Sequence, residues 1–127
     1  MSNDKTKKGR EMMARLFGPA GEKAANIFDD VAPDFGQYMT DHVYGDIYQR
    51  DGLDLKTREL AAVAGITALG YAKPHLKTHI LGALNAGASR VEIIEVIMQM
   101  SAYAGFPAAT IGLMAAREVF EKANSEK

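Results

Sequence analysis

The sequence contains no cysteine. Disulfides, thiolate metal sites and thiol nucleophiles are therefore excluded together. Long apolar runs are missing too: the most apolar stretch, Leu60 to Leu69, falls far short of the roughly 20 residues a membrane-spanning helix needs. The first residues are polar and charged, unlike a signal peptide. Nor is there an excess of one charge, since 15 basic and 16 acidic side chains leave a net charge of −1. That balance offers no footprint for nucleic acid. The short basic cluster Lys5, Lys7, Lys8, Arg10 reads as a solvated tail. These absences predict a cytoplasmic protein with neither a membrane nor a nucleic-acid partner.

What is present is enough to fold. The 127 residues are 47% apolar and 24% charged, as expected for one globular domain. Residues 1–8 are expected to form a disordered tail, and residues 9–124 the domain.

The apolar spacing is helical throughout. "REMMARLF" sets Met12, Met13, Leu16 and Phe17 on one face before Gly18 and Pro19. Pro19 can open a second helix, through Phe28. Pro33 starts a third, carrying Phe35, Tyr38, Met39, His42 and Val43. After the irregular segment 45–54, Asp54 is an N-cap candidate for a helix over 55–69, closed by Gly70. Pro74 opens the next, to about Ala86. "SRVE" is a capping box at Ser89 and Glu92, starting a helix to about Tyr103. Gly105 breaks the chain, and Pro107 starts a last helix to about Ala123. No segment alternates long enough to be a strand. The fold class is all-α, with six to seven helices.

Two segments are apolar nearly all round. Between Leu60 and Leu69 the only polar side chain is Thr67, and between Ile93 and Met100 only Glu95 and Gln99 are polar. Such helices need cover on every side, and a small domain has few interior places. A homo-oligomer is expected, with Gly65, Gly82, Ala83, Ala86, Gly112, Ala115 and Ala116 allowing close helix approach.

Three constellations can carry chemistry. His75 and His79, at i and i+4, share a helical face. A metal clip would need a third ligand and, in the strong signature, a Glu directly after the first His; Leu76 stands there instead. His75 falls in the first helical turn and reads as exposed. His79 borders the apolar face and has Gly82, Ala83 and Ala86 beside it. From the residues alone, a satisfied structural histidine and a pocket histidine remain open. In "KTREL", Arg58 and Glu59 are either solvated first-turn charges or the rim of an apolar hollow. In "YAGFPAA", Tyr103 to Ala109, a helix corner could offer amides to an anion, or be a plain turn.

Taken in order, "GREMMARLFG", "YGDIYQRDGLDLKTREL" and "HLKTHILGALNAGASRVEIIEVIMQMSAYAGFPAA" resemble the carboxymuconolactone decarboxylase family. The resemblance implies an alkylhydroperoxidase D-like helical fold, a decarboxylase branch that uses no cofactor and no metal, and a homohexamer built from dimers or trimers. The redox branch of that family carries a C-x-x-C pair, a histidine four residues after it and an upstream glutamate. Here His79 matches the histidine and Glu59 the glutamate. His75 and Ala72 fall near the cysteine positions, so thiol peroxidase activity is excluded. Asp51 stands where the decarboxylases' "RPGLD" pattern has proline.

The family reaction converts 4-carboxymuconolactone to the β-ketoadipate enol-lactone and CO2, in protocatechuate breakdown. The electrons left by CO2 flow onto the lactone carbonyl, so the substrate supplies its own sink. The resemblance implies His79 as the proton donor to the α-carbon, Glu59 as its orienting carboxylate, Arg58 as a carboxylate binder and Tyr103 as a donor to the oxyanion. The rival expectations are a related enzyme acting on another small carboxylated lactone or keto acid, a non-catalytic oligomeric scaffold, and a metal-dependent enzyme using His75 and His79.

Overall fold

The computed structural model describes residues 4–126. It is all-helical, with seven α-helices and no strand among the described residues. The chain divides after Asp54 into two compact units, within the irregular segment the sequence marks.

The first unit contains α1 (Asp4–Phe17), α2 (Pro19–Asn26) and α3 (Phe35–Met39). α1 begins inside the expected tail: residues 4–8 are helical, and residues 1–3 lie outside the described residues. Tertiary bonds explain the earlier start. Thr6 is buried and its hydroxyl donates to Asp41 Oδ1 at 2.7 Å, while Lys5 Nζ pairs with Asp46 at 3.0 Å. α1 buries Gly9, Met13, Leu16 and Phe17, a helical stripe. Gly18, at φ +61°, turns the chain into α2, and Pro19 occupies its first turn. α2 stops at Asn26, not at the expected Phe28, and residues 27–34 are turns.

The third expected helix is split. α3 continues into one π-helical turn, Thr40–Tyr44, closed by Gly45 N–H donating to Thr40 O at 2.8 Å. The extra residue in this turn brings the Tyr44 ring edge-on to Phe17, 5.6 Å between centroids. A 3₁₀ turn, Ile47–Gln49, follows.

The second unit is a bundle of α4 (Leu55–Leu69), α5 (Lys73–Asn85), α6 (Arg90–Ala104) and α7 (Phe106–Ser125). α4 packs on α5 and α6, and α7 packs on the same two helices from the other side. Val63, Leu76, Ile80, Ala83, Ile93, Ile97, Ala115 and Ala116 form the buried core. The helices stop at Gly70 and Gly105, whose φ values of +78° and +95° suit residues without Cβ. α7 crosses the bundle at Gly112, where an added Cβ would lie 2.8 Å from Ile97 Cγ2 and 3.1 Å from Thr67 Cγ2.

The capping box is present in full. Glu92 N–H donates to Ser89 Oγ at 3.0 Å, and Ser89 N–H donates to Glu92 Oε1 at 2.9 Å. The second oxygen of Glu92 accepts from Lys56 Nζ of α4 at 3.0 Å. The Ser89 amide first, and then Lys56, hold the Glu92 carboxyl below the usual carboxylate range. On the other side, Lys73 and Lys77 of α5 pair with Glu118 of α7 and lower its carboxyl likewise. No helix among the described residues is long and apolar enough to cross a membrane.

Candidate functional site

The short connection between α4 and α5 makes them antiparallel neighbours. Glu59, Val63 and Thr67 are the three buried residues of α4, at i, i+4 and i+8, so one stripe turns all three inward. Two of them are polar. On α5, Leu76, Ile80 and Ala83 define the core face, and His79 sits at its edge.

This arrangement brings Glu59 and His79 together. Glu59 Oε2 lies 2.9 Å from His79 Nδ1; the carboxylate side chain is 0% exposed and the imidazole 16%. A carboxylate removed from water is costly unless protein donors replace the water, and the imidazole supplies one. Which atom donates in this bond depends on the ring's tautomer; an Nδ1–H donating to the carboxylate leaves the acid–base chemistry of the ring to Nε2. The pair thus has the parts of an acid–base device: a ring that keeps some access to solvent and a sealed carboxylate that orients it.

The other expected residues are placed differently. Arg58 adjoins Glu59 on α4 and is half-buried, offset by about 100° around the helix. Tyr103 is exposed, in the last turn of α6. The Lys56–Glu92 contact joins the first turns of α4 and α6, and Tyr103 stands at the opposite end of α6. His75 is exposed and His42 is exposed in the π turn. Among the described residues, no three His, Cys, Asp or Glu side chains converge in a way that could hold a metal ion.

A groove of about 280 Å³ lies between α4 and α6, lined by Thr57, Leu60, Ala61, Ala64, Val96, Gln99 and Met100. Its α4 residues point roughly opposite to Glu59, so it is separate from the pair. Sequence reasoning missed the Lys56–Glu92 bridge, because 36 residues separate its partners and only the alignment of α4 with α6 joins them.

The profile of the carboxymuconolactone decarboxylase family matches residues 33–118, a span that contains Arg58, Glu59, His79 and Tyr103. The chain belongs to the carboxymuconolactone decarboxylase family. It is 38% identical over 120 residues to the "Uncharacterized 15.0 kDa protein in nqo9-nqo10 intergenic region" of Paracoccus denitrificans, covering 93% of this chain and 89% of that one. It is 30% identical over 116 residues to the 4-carboxymuconolactone decarboxylase of Acinetobacter baylyi, covering 91% and 86%. It is also 34% identical over 71 residues to a nitrosuccinic acid decarboxylase of Metarhizium robertsii, covering 56% and 49%. The family resemblance read from the sequence is thereby established, and so is the all-helical fold class.

Proposed function

We propose that the chain is a cofactor-free decarboxylase, acting on a small molecule whose departing carboxylate is conjugated with an electron acceptor in the same molecule. 4-Carboxymuconolactone is the specific substrate proposed. The observation that carries the reading is the 2.9 Å contact between His79 and the sealed carboxylate of Glu59. Two relatives with different substrates in their names support the chemical class. A lactone carbonyl can take the electrons in one, and a nitro group in the other.

In this mechanism the bond to CO2 breaks and its electron pair moves through the ring onto the lactone oxygen. His79 delivers a proton from Nε2 to the α-carbon of the resulting dienolate. Glu59 holds the ring's orientation and offsets its positive charge when it is protonated. Arg58 binds a carboxylate of the substrate that does not depart. Tyr103, exposed in the last turn of α6, donates to the developing oxyanion. A homohexamer, assembled in the cytoplasm from dimers or trimers, is part of the same proposal. The exposed Leu69, Tyr71, Tyr103 and Phe106 of the second unit support self-association.

The test is ultraviolet detection of lactone turnover, with CO2 release, using 4-carboxymuconolactone and wild-type protein. Turnover that is lost in His79→Gln supports the proposal. Absence of turnover across a panel of carboxylated lactones and keto acids favours the scaffold alternative.

A further inference from the structure

We propose that residues 27–38 of the first unit form a fixed knob that seats on the basic outward face of α1 in a second copy of the chain. This contact goes beyond the decarboxylase reading: it draws on that reading's self-association alone and touches no residue of the candidate site.

The knob is apolar, ordered and uncovered. Ile27, Phe28, Val31, Phe35 and Tyr38 are all exposed, Val31 and Tyr38 by 76% and 72%. Backbone bonds nevertheless hold the segment in place. Val31 N–H and Ala32 N–H both donate to Phe28 O, at 3.0 and 2.7 Å, and Phe35 N–H donates to Ala32 O at 3.0 Å. The Phe28 and Phe35 rings meet edge-on, 5.9 Å between centroids. Large apolar side chains held together in water mark a surface that a partner covers.

Charge identifies the partner. Between Lys23 and Arg50 the chain has no lysine or arginine. Of the aspartates there, Asp41 accepts from Thr6 and Asp46 pairs with Lys5. Asp29, Asp30 and Asp34 have no side-chain partner among the described residues. The knob is therefore acidic and calls for a basic face. In the second unit Lys56, Lys73 and Lys77 are already paired with carboxylates, and Arg90 lies over the Phe120 ring. On α1, by contrast, Lys7, Lys8 and Arg15 are exposed and have no acidic partner among the described residues.

Helical spacing gathers Lys7, Lys8 and Arg15, with the acid Glu11 among them, into about 100° of the α1 surface. The opposite side is the stripe of Gly9, Met13, Leu16 and Phe17, buried within the unit. α1 packs on α2 and the π turn, the elements on either side of the knob, so its basic face points away from the knob of its own chain. Seated on a second copy, the knob's carboxylates meet cations. The aliphatic stems of those cations cover the exposed rings, and a charged head can stand over an aromatic face. The contact joins unlike surfaces, so it closes as a ring or is made twice across a two-fold axis.

Charge exchange tests the contact. One variant carries Asp29→Lys, Asp30→Lys and Asp34→Lys; the other carries Lys7→Glu, Lys8→Glu and Arg15→Glu. Circular dichroism checks folding, and native mass spectrometry reads assembly at micromolar concentration. Each variant alone sets like charges against each other and should fall to half the wild-type mass or less. Mixed in equal amounts, the two should regain the wild-type mass in particles that hold both chains, because each knob then meets an α1 of opposite charge. Folded variants that keep the wild-type mass alone, or that fail to co-assemble, overturn the inference and leave the decarboxylase reading standing. Where a triple variant does not fold, Val31→Glu at a single exposed position should lower the particle mass in the same way, and wild-type mass in that variant overturns the inference. A monomeric wild type overturns it together with the homohexamer, while lactone turnover decides the catalytic reading separately.

Discussion

Glu59 and His79 share one hydrogen bond across α4 and α5, and only the imidazole keeps contact with solvent. A sealed carboxylate beside a half-sealed base divides the work: one group holds the geometry and the other meets the ligand.

That division predicts different kinetic defects. His79→Gln should lower kcat by about 10²–10⁴-fold. Glu59→Gln keeps a side-chain oxygen for Nδ1 but removes the charge, so it should lower kcat with little change in KM. Arg58→Lys loses the bidentate fork and should raise KM more than it lowers kcat. Steady-state kinetics on the lactone separates the three. Equal losses of kcat in Arg58→Lys and His79→Gln would contradict the assigned roles.

Gly112→Ala should destabilise the second unit. The new methyl would meet Ile97 Cγ2 at 2.8 Å, and Ile97 is fully buried. Overpacking of this kind costs about 1–3 kcal/mol, against a gain in helix propensity of about 1 kcal/mol. Urea denaturation should show a lower midpoint. An unchanged midpoint would mean that α7 moves aside freely.

Removing the N-cap of α6 tests a local contribution. Ser89→Ala deletes the acceptor of the Glu92 amide hydrogen and should cost about 0.5–2 kcal/mol. Thermal unfolding reads the loss, and Ser89→Asp should restore most of it.

The capping carboxylate also gives an acid-dependent stability with a defined sign. The folded state holds Glu92 below its ordinary range, so its contribution is full above the unfolded value. It is lost as pH falls through the folded one. The stability difference between wild type and Glu92→Gln should be constant near neutral pH and shrink on acidification. Denaturation midpoints measured down to acid pH check this, and a difference that grows on acidification would refute it.

Much of the second unit could be read locally. Asp54 and Gly70 bracket α4 at its observed limits, Ser89 and Glu92 mark the start of α6, and Gly105 with Pro107 marks the corner into α7. Each signal is a backbone requirement met by residues close in sequence. The first unit was less legible for the opposite reason. Residues 4–8 fold as helix with Thr6 bonded to Asp41, 35 positions away, and no local pattern announces that bond. The site lies between these cases. Composition marks Glu59 as a first-turn charge, normally solvated, and spacing alone left His79 undecided between packing and chemistry. Only the approach of α5 to α4 removes Glu59 from water and gives the imidazole its partner.

The π turn at Thr40–Tyr44 makes the first unit tolerant of chain length in a way that ordinary helix is not. It closes over one residue more than an α-helical turn, so deleting one of Thr40 to Val43 would let it close as ordinary helix with the aromatic at its end still facing Phe17. The same deletion inside α1 would turn every later side chain about 100° around the axis. Natural homologues that are one residue shorter in this unit should therefore have lost it here.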